Sequence, residues 1–270
     1  MFDISQYRVP PGTLVSLDDH DPNAKVGFEG GKKEGKRALP KLNDRLYTLQ
    51  RKLWAESRQK LLLVLQATDT GGKDGTIRNV FTGVNPQGVR VASFGKPTEE
   101  ELAHDYLWRV HEHTPADGQI TVFNRSHYED VLVVRVRELV PKERWERRYH
   151  HINEFERMLT DEGTTIVKVY LNISKDEQRE RLQKRLDNPD KNWKFRRGDL
   201  DDRKLWDKYQ EAFEAMLSRT STEYAPWYVV PANRKWYRNL VVSQLLIDTL
   251  TEMDPQFPEP EEDLDGIVVE

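Results

Sequence analysis

Five consecutive apolar residues, Leu61-Leu62-Leu63-Val64-Leu65, run directly into the glycine-rich stretch Gln66-Ala67-Thr68-Asp69-Thr70-Gly71-Gly72-Lys73-Asp74-Gly75. A short apolar run with no polar residue alternating in it fits a strand buried on both faces, and such strands belong to parallel sheets covered by helices. The rest of the chain keeps that alternation. Leu42, Leu46, Leu49 and Leu53 mark an amphipathic helix over 35–57, and further helices are predicted over roughly 73–83, 127–138, 142–158, 175–186, 200–218 and 240–250. Thr98-Glu99-Glu100-Glu101 and Ser174-Lys175-Asp176-Glu177 read as helix-opening capping boxes. Apolar runs predict strands over 89–94, 120–123, 165–171 and 227–230. Strands separated by helices predict one α/β domain, a five-stranded parallel sheet flanked by helices on both faces. Its core is expected over about 35–250, with an irregular arm over 1–33, a polar basic loop over 188–199 and a Pro- and acid-rich tail over 254–270.

Composition narrows the chemistry. With no cysteine among 270 residues, a disulfide framework, a thiolate metal site and a cysteine nucleophile are excluded. The chain shows no signal segment and no apolar run long enough to span a bilayer, so the expectation is a cytoplasmic protein with no membrane partner. The net charge of −4 gives no global nucleic-acid signature. Seven of the acids lie in 254–270 without a base, which leaves the rest of the chain at about +3, and 179–197 carries eight bases against three acids. A local cationic surface suits an anionic substrate; it also describes a solvated helix face.

The glycine-rich stretch has the register of a phosphate-binding loop, G-x-x-x-x-G-K-[ST], with Ala67 at the first glycine and Asp74 at the Ser/Thr. Gly71, Gly72 and Gly75 can turn successive N–H groups inward, the helix starting near Lys73 adds its positive end, and Lys73 supplies a mobile cation. A fold of the P-loop kinase type follows. Asp69 or Asp74 can replace the hydroxyl that ordinarily helps to hold a hard cation, and Asp69, inside the loop, is preferred. Thr76 and Arg78 follow on the same helix. At the next strand end, Asn124-Arg125-Ser126-His127-Tyr128-Glu129-Asp130 offers a bidentate phosphate ligand in Arg125 and acids that can orient a metal-bound water or a ribose; Ser126 and Glu129 also fit a plain capping box. The basic loop, with Lys191, Trp193, Lys194 and Asp199, reads as a lid over about 186–200 or as a solvated loop in which Asp199 caps the next helix.

These motifs in order — Ala67-x-Asp69-x-x-Gly72-Lys73-Asp74-Gly75, Asn124-Arg125-Ser126-x-Tyr128, Lys191-x-Trp193-Lys194, Asp199, and Asn233-Arg234-Lys235-Trp236-Tyr237-Arg238 after the last strand — resemble the polyphosphate kinase 2 family over about 35–250. The resemblance implies a thymidylate-kinase-like fold with a lid, transfer of a phosphoryl group from inorganic polyphosphate to a nucleotide, Mg²⁺ (or Mn²⁺) as cofactor, and a homo-oligomer, dimer or tetramer. It places catalytic roles on Asp69 (also the metal ligand), Lys73, Arg125, Arg185 and Asp199. Polyphosphate would meet Gly71, Gly72, Lys73, Asp74, Gly75, Thr76 and Arg78; the nucleotide would meet Asn124, Arg125, Tyr128, Glu129 and Asp130. Many members carry Asp where this chain has Asn124, and Asn124 with Glu129 resembles the class III subgroup, which phosphorylates both AMP and ADP. Two other readings share the fold: an ATP-driven nucleoside or nucleotide kinase, and a nucleotide-binding module without turnover.

Overall fold

The computed structural model describes residues 2–260 and 267–269. Strands β1 (Lys60–Gln66), β2 (Val89–Ser93), β3 (Ile120–Asn124), β4 (Thr164–Asn172) and β5 (Trp227–Pro231) form one parallel sheet in the order β2-β3-β1-β4-β5. The helices are α1 (Lys32–Glu56), α2 (Lys73–Val80), α3 (Glu99–Ala103), α4 (Trp108–His111), α5 (Val133–Val136), α6 (Lys142–Asp161), α7 (Lys175–Leu186), α8 (Arg197–Lys204), α9 (Trp206–Thr220) and α10 (Lys235–Met253). No helix among the described residues is long and apolar enough to cross a membrane.

The uninterrupted apolar strands have the reason the sequence implied. Leu61, Leu63 and Leu65 pack with Leu46 and Leu53 of α1 and Leu245 and Leu246 of α10 on one face. Leu62 and Val64 pack with Ile152 of α6 and Phe213 and Met216 of α9 on the other. Every one of these is buried, so both faces exclude water and alternation would be penalised. β1 lies between β3 and β4, and the chain builds the β2–β3 side before crossing to β4 and β5. The ends of β1 and β3 therefore flank the crevice where such a sheet binds its ligand.

Four expectations are revised. The helix over 127–138 is instead a 3₁₀ turn, His127–Asp130, followed by the short α5. The side chains of His127 and Tyr128 are drawn into the core, and Val131, Val133, Val134 and Val136 are poor helix formers. The helix over 200–218 breaks at Leu205 into α8 and α9; no glycine or proline marks that break. The basic loop contains a 3₁₀ turn, Pro189–Lys194. The arm is irregular but docked: Ile4, Tyr7, Val9 and Leu17 are buried, Tyr7 Oη lies 2.6 Å from Tyr237 Oη, and the Val9 N–H donates to the Trp227 carbonyl at 2.8 Å. Part of the acidic tail, 261–266 and 270, lies outside the described residues.

Trp236, at the start of α10, stacks its indole on the backbone of α1 at Gly35, where a Cβ would stand 2.2 Å from Cε3. Gly35→Ala gains about 1 kcal/mol of helix propensity but forces this overlap, and overpacking of that kind costs about 1–3 kcal/mol. The variant should unfold at lower urea concentration than the parent with an unchanged m-value; an increase in midpoint would contradict the packing described.

Candidate active site

The loop between β1 and α2 is shaped by two left-handed residues, Thr70 (φ +63°) and Gly72 (φ +106°). At Gly72 the requirement is doubly strict, since a Cβ would lie 2.1 Å from Arg238 Nη1. Lys73 opens α2, its side chain buried and its Nζ donating to the Ala67 carbonyl at 3.1 Å. Burial, reinforced by the like charge of Arg125, depresses its ammonium to about 8, although Asp69, Glu129 and Asp74 work in the opposite direction.

Two guanidinium groups lie under the loop, and one of them braces it. Arg181 of α7 donates to the carbonyls of Thr70 and Gly71, both at 3.0 Å, and to that of Ala232 at 2.6 Å, while its Nε pairs with Glu177 at 2.7 Å. Arg238 of α10 is only 2% exposed, yet its hydrogen bonds go to the Asn239 side-chain oxygen, from Nε at 3.1 Å and Nη2 at 2.7 Å. No carboxylate among the described residues pairs with it. Burial and the neighbouring Arg181 lower it to about 9.

Across the crevice, Arg125 at the end of β3 also adopts a left-handed backbone (φ +63°). Its Nη2 meets Asp69 Oδ1 at 2.7 Å and its Nη1 meets Glu129 Oε2 at 3.5 Å. Glu129 and Asp69 outweigh burial and keep this guanidinium firmly charged. Asn124 Nδ2 donates to Asp74 Oδ1 at 2.9 Å, and Lys194 Nζ reaches the other oxygen of Asp74 at 3.4 Å. Burial tends to raise the Asp74 carboxyl, but Asn124 and Lys194 outweigh it and hold it low. Arg185 joins Asp199 Oδ2 at 3.3 Å and the Lys194 carbonyl at 3.2 Å, which ties the basic segment to α7, and Lys194 carries it to the loop at Asp74. Burial and the nearby Asp69 raise the Asp199 carboxyl.

These groups line one cleft of about 2030 Å³. On the side of α1, α7 and α10 it presents Lys36, Lys184, Arg234, Lys235 and Arg238; towards α3, α5 and α6 it presents Leu102, Tyr106, Val133, Val134, Leu139 and Arg148. One part is cationic; the other mixes aliphatic surface with Arg109, Arg144, Arg147, Arg148 and Asp130. The Asp130 carboxyl is pushed up to about 6 by burial in spite of Arg148, which donates to it at 2.7 Å.

The model of the family described as "Polyphosphate kinase 2 (PPK2)" matches residues 29–258. The chain belongs to the polyphosphate kinase 2 family. It is 62% identical over 267 residues to the AMP/ADP-polyphosphate phosphotransferase of Meiothermus ruber, covering 99% of this chain and 100% of that one. It is 44% identical over 266 residues to the ADP-polyphosphate phosphotransferase of Rhodopseudomonas palustris, covering 94% and 92%. The crystal structure of polyphosphate kinase 2 from Arthrobacter aurescens TC1 superposes with TM-score 0.92 at 48% identity, covering 96% of this chain and 92% of that one.

The fold gathers most residues singled out in the sequence around the cleft: Asp69, Gly71 to Gly75, Arg78, Asn124, Arg125, Glu129, Asp130, Arg185, Lys191, Trp193, Lys194 and Asp199 all line it. Two do not, and these assignments are corrected. Tyr128, expected at the nucleotide, is fully buried, and its hydroxyl donates to Glu156 Oε1 at 2.7 Å in the core. Thr76, expected at polyphosphate, is buried with its hydroxyl on the Gly72 carbonyl at 3.1 Å. Arg181 lies outside the motifs, and Arg238, the last residue of the segment after β5, is given no role by them. The signal for Arg238 was a lone arginine in a largely apolar helix, readable only once that helix is seen to be buried.

Lys73, poised near 8, gives a pH signature. An anion bound at the loop raises its pKa, so binding takes up protons between about 8 and the ordinary lysine value near 10.4, and affinity falls as pH rises through that window. Titration calorimetry of tripolyphosphate at pH 8.5 in two buffers of different ionisation enthalpy should give an apparent enthalpy that changes with buffer in the sense of proton uptake. Buffer-independent heat would show that Lys73 does not titrate with binding.

Proposed function

We propose that the protein transfers the terminal phosphoryl group of inorganic polyphosphate to AMP and then to ADP, giving ADP and ATP, in a reversible reaction. The observation that carries this reading is the cationic part of the cleft. Among the described residues Arg238 is buried without a carboxylate partner, against Gly72 and Gly75 of the loop, and the same cleft is lined by further cations, Lys36, Lys184, Arg234 and Lys235. A run of linked phosphates offers charge for all of these cations, more than the three phosphates of a nucleoside triphosphate carry. The relatives from Meiothermus and Rhodopseudomonas are named for the same donor, and the first for both acceptors.

The donor's terminal phosphate lies on the loop amides with Lys73 and Arg238, and the acceptor's terminal phosphate lies on Arg125. An oxygen of the acceptor phosphate attacks the donor phosphorus, the bridging P–O bond breaks, and the shortened polyphosphate leaves with the electron pair as an oxyanion. The acceptor is already anionic, so the step needs no general base, and catalysis consists of positioning and charge stabilisation. Arg185 and Lys194 bring charge from the lid, whose closure keeps water from competing as acceptor.

Mg²⁺ takes one or two protein carboxylates and fills its octahedron with water and substrate phosphate oxygens. Among the described residues no three His, Asp or Glu side chains stand together as a metal cage, while Asp69 presents a partly exposed carboxylate to the cleft. That donor set fits an ion shared with substrate, held by Asp69; Mn²⁺ would fit the same oxygens. When bound it would neutralise charge between donor and acceptor phosphates. Asn124 brings no charge of its own next to Asp74, which leaves the acceptor site less anionic than an Asp would and suits acceptors of either length.

Purified protein with Mg²⁺, AMP and long-chain polyphosphate, and no ATP, should form ADP first and ATP after it. Product only when ATP is supplied would replace this reading by an ATP-driven nucleotide kinase. Asp69→Asn should keep its melting temperature within a few degrees and lose roughly 100-fold in kcat, in line with deletion of one preorganised electrostatic group; a wild-type rate would remove Asp69 from the metal site.

A further inference from the structure

Directly behind the Arg125 turn lies a charged network that does not line the cleft. Glu156 of α6 and Lys168 of β4 are both 0% exposed and pair at 2.5 Å. Lys168 Nζ also donates to the Tyr128 hydroxyl at 2.9 Å and to the Thr220 carbonyl at 2.6 Å, which uses its three protons. Glu156 Oε1 receives the Tyr128 hydroxyl at 2.7 Å and faces His127 Nε2 at 3.3 Å. Burial works to raise the Glu156 carboxyl, but Lys168 and His127 outweigh it and keep it ionised. The Tyr128 ring packs edge-on against Trp227, whose indole N–H donates to Thr220 Oγ1 at 2.9 Å.

A buried ion pair is a poor device for stability alone, because desolvation offsets most of its Coulomb attraction and well-packed apolar residues usually serve as well. Its place in the chain supplies another use. His127 and Tyr128 follow Arg125 by two and three residues, and Arg125 sits at φ +63°, a conformation that persists only where its surroundings over-determine it. The turn is held at both ends by one helix: Glu156 takes His127 and Tyr128, and Arg148, two turns earlier on α6, grips the carbonyl and carboxylate of Asp130 at 3.1 and 2.7 Å. From the strand side, the Arg125 N–H is anchored to the Leu65 carbonyl at 3.1 Å, and the Gln66 amide meets Ser126 Oγ at 3.1 Å.

We propose that Glu156, Lys168 and Tyr128 are positioning residues for Arg125: the buried pair and the phenol fix the turn that aims the guanidinium between Asp69 and Glu129, and so set where the acceptor phosphate binds. This rests on the function proposed above for the identity of the acceptor. The pair acts through backbone geometry, so it bears on the acceptor and leaves the polyphosphate contacts, which stand on other elements, unchanged.

A thermodynamic cycle separates positioning from mere folding. Tyr128→Phe keeps the ring in the core and removes only the hydroxyl. In the otherwise wild-type chain it should lower kcat/KM for AMP, and AMP affinity measured by calorimetry, by roughly tenfold, a modest share of what misplacement of a reacting group can cost. The KM for polyphosphate should not move. In an Arg125→Ala background the same substitution should cost nothing further, since residues that act through one group are not additive. Glu156→Leu with Lys168→Met should reproduce the loss at a melting temperature close to that of the parent. Equal losses in both Arg125 backgrounds, an unchanged AMP affinity in Tyr128→Phe, or unfolding of both variants would overturn the proposal and leave the network a stability element. A parent protein that binds AMP without phosphorylating it from polyphosphate refutes the proposed function instead, and the cycle is still read from AMP affinity.

Discussion

Arg238 sets the terms for the site. Its guanidinium stands so close to Gly72 that no side chain fits there, and it shares the space under the loop with Arg181, which is tied to loop carbonyls and to Glu177. Lys73 completes the group from the loop itself. Burial disfavours the charged forms of Lys73 and Arg238, reinforced by Arg125 at the first and by Arg181 at the second, and both are depressed below their ordinary values. That arrangement is costly for folding and favourable for binding: a multiply charged anion on the loop adds an attraction to each cation that offsets its burial and the repulsion from its neighbours. The sheet order, the glycines and the burial of α10 all serve to hold this cation cluster at the strand ends.

The opposite wall works differently. Arg125 is matched by Asp69 and Glu129, so it is already neutralised and can exchange one carboxylate for a phosphate without a large change in local charge. A cleft with the uncompensated Arg238 on one side and the compensated Arg125 on the other favours a polyanion at the first and a short anionic group at the second. Asp74, at the place where phosphate loops ordinarily carry a hydroxyl, links the walls and the lid through Asn124 and Lys194.

Much of this was legible in the sequence, for physical reasons that differ by element. Strands buried on both faces leave an unmistakable apolar run, so 61–65, 120–123 and 165–171 predicted β1, β3 and β4 to within a residue or two. The loop was legible because phosphate binding demands glycine and lysine at fixed spacing. Tyr128 and Thr76 were misplaced because a motif gives adjacency along the chain and not the direction of a side chain; a 3₁₀ turn sent Tyr128 inwards, and the helix rotated Thr76 towards its own backbone. The break at Leu205 and the docking of the arm depend on contacts between distant segments, such as Arg203 with the Lys175 carbonyl and Val9 with Trp227, which no local pattern records. Arg238 was given no role for the same reason: its meaning lies in the lack of a carboxylate partner among the described residues, and its surroundings come from α2, α7 and α10 together.

The claim that a phosphate chain is the natural partner of the buried cations is tested most directly by thermal denaturation of the parent and of Arg238→Met, each with and without tripolyphosphate. Ligand at a hundred times its dissociation constant stabilises by about 2.7 kcal/mol, which for a chain of this size is a shift of roughly 5–10 °C. The account predicts that shift in the parent, a higher melting temperature for Arg238→Met alone, because an uncompensated buried charge is gone, and a much smaller shift on adding tripolyphosphate. A lower melting temperature for Arg238→Met alone with the full ligand shift retained would contradict it and make Arg238 a structural brace for the loop.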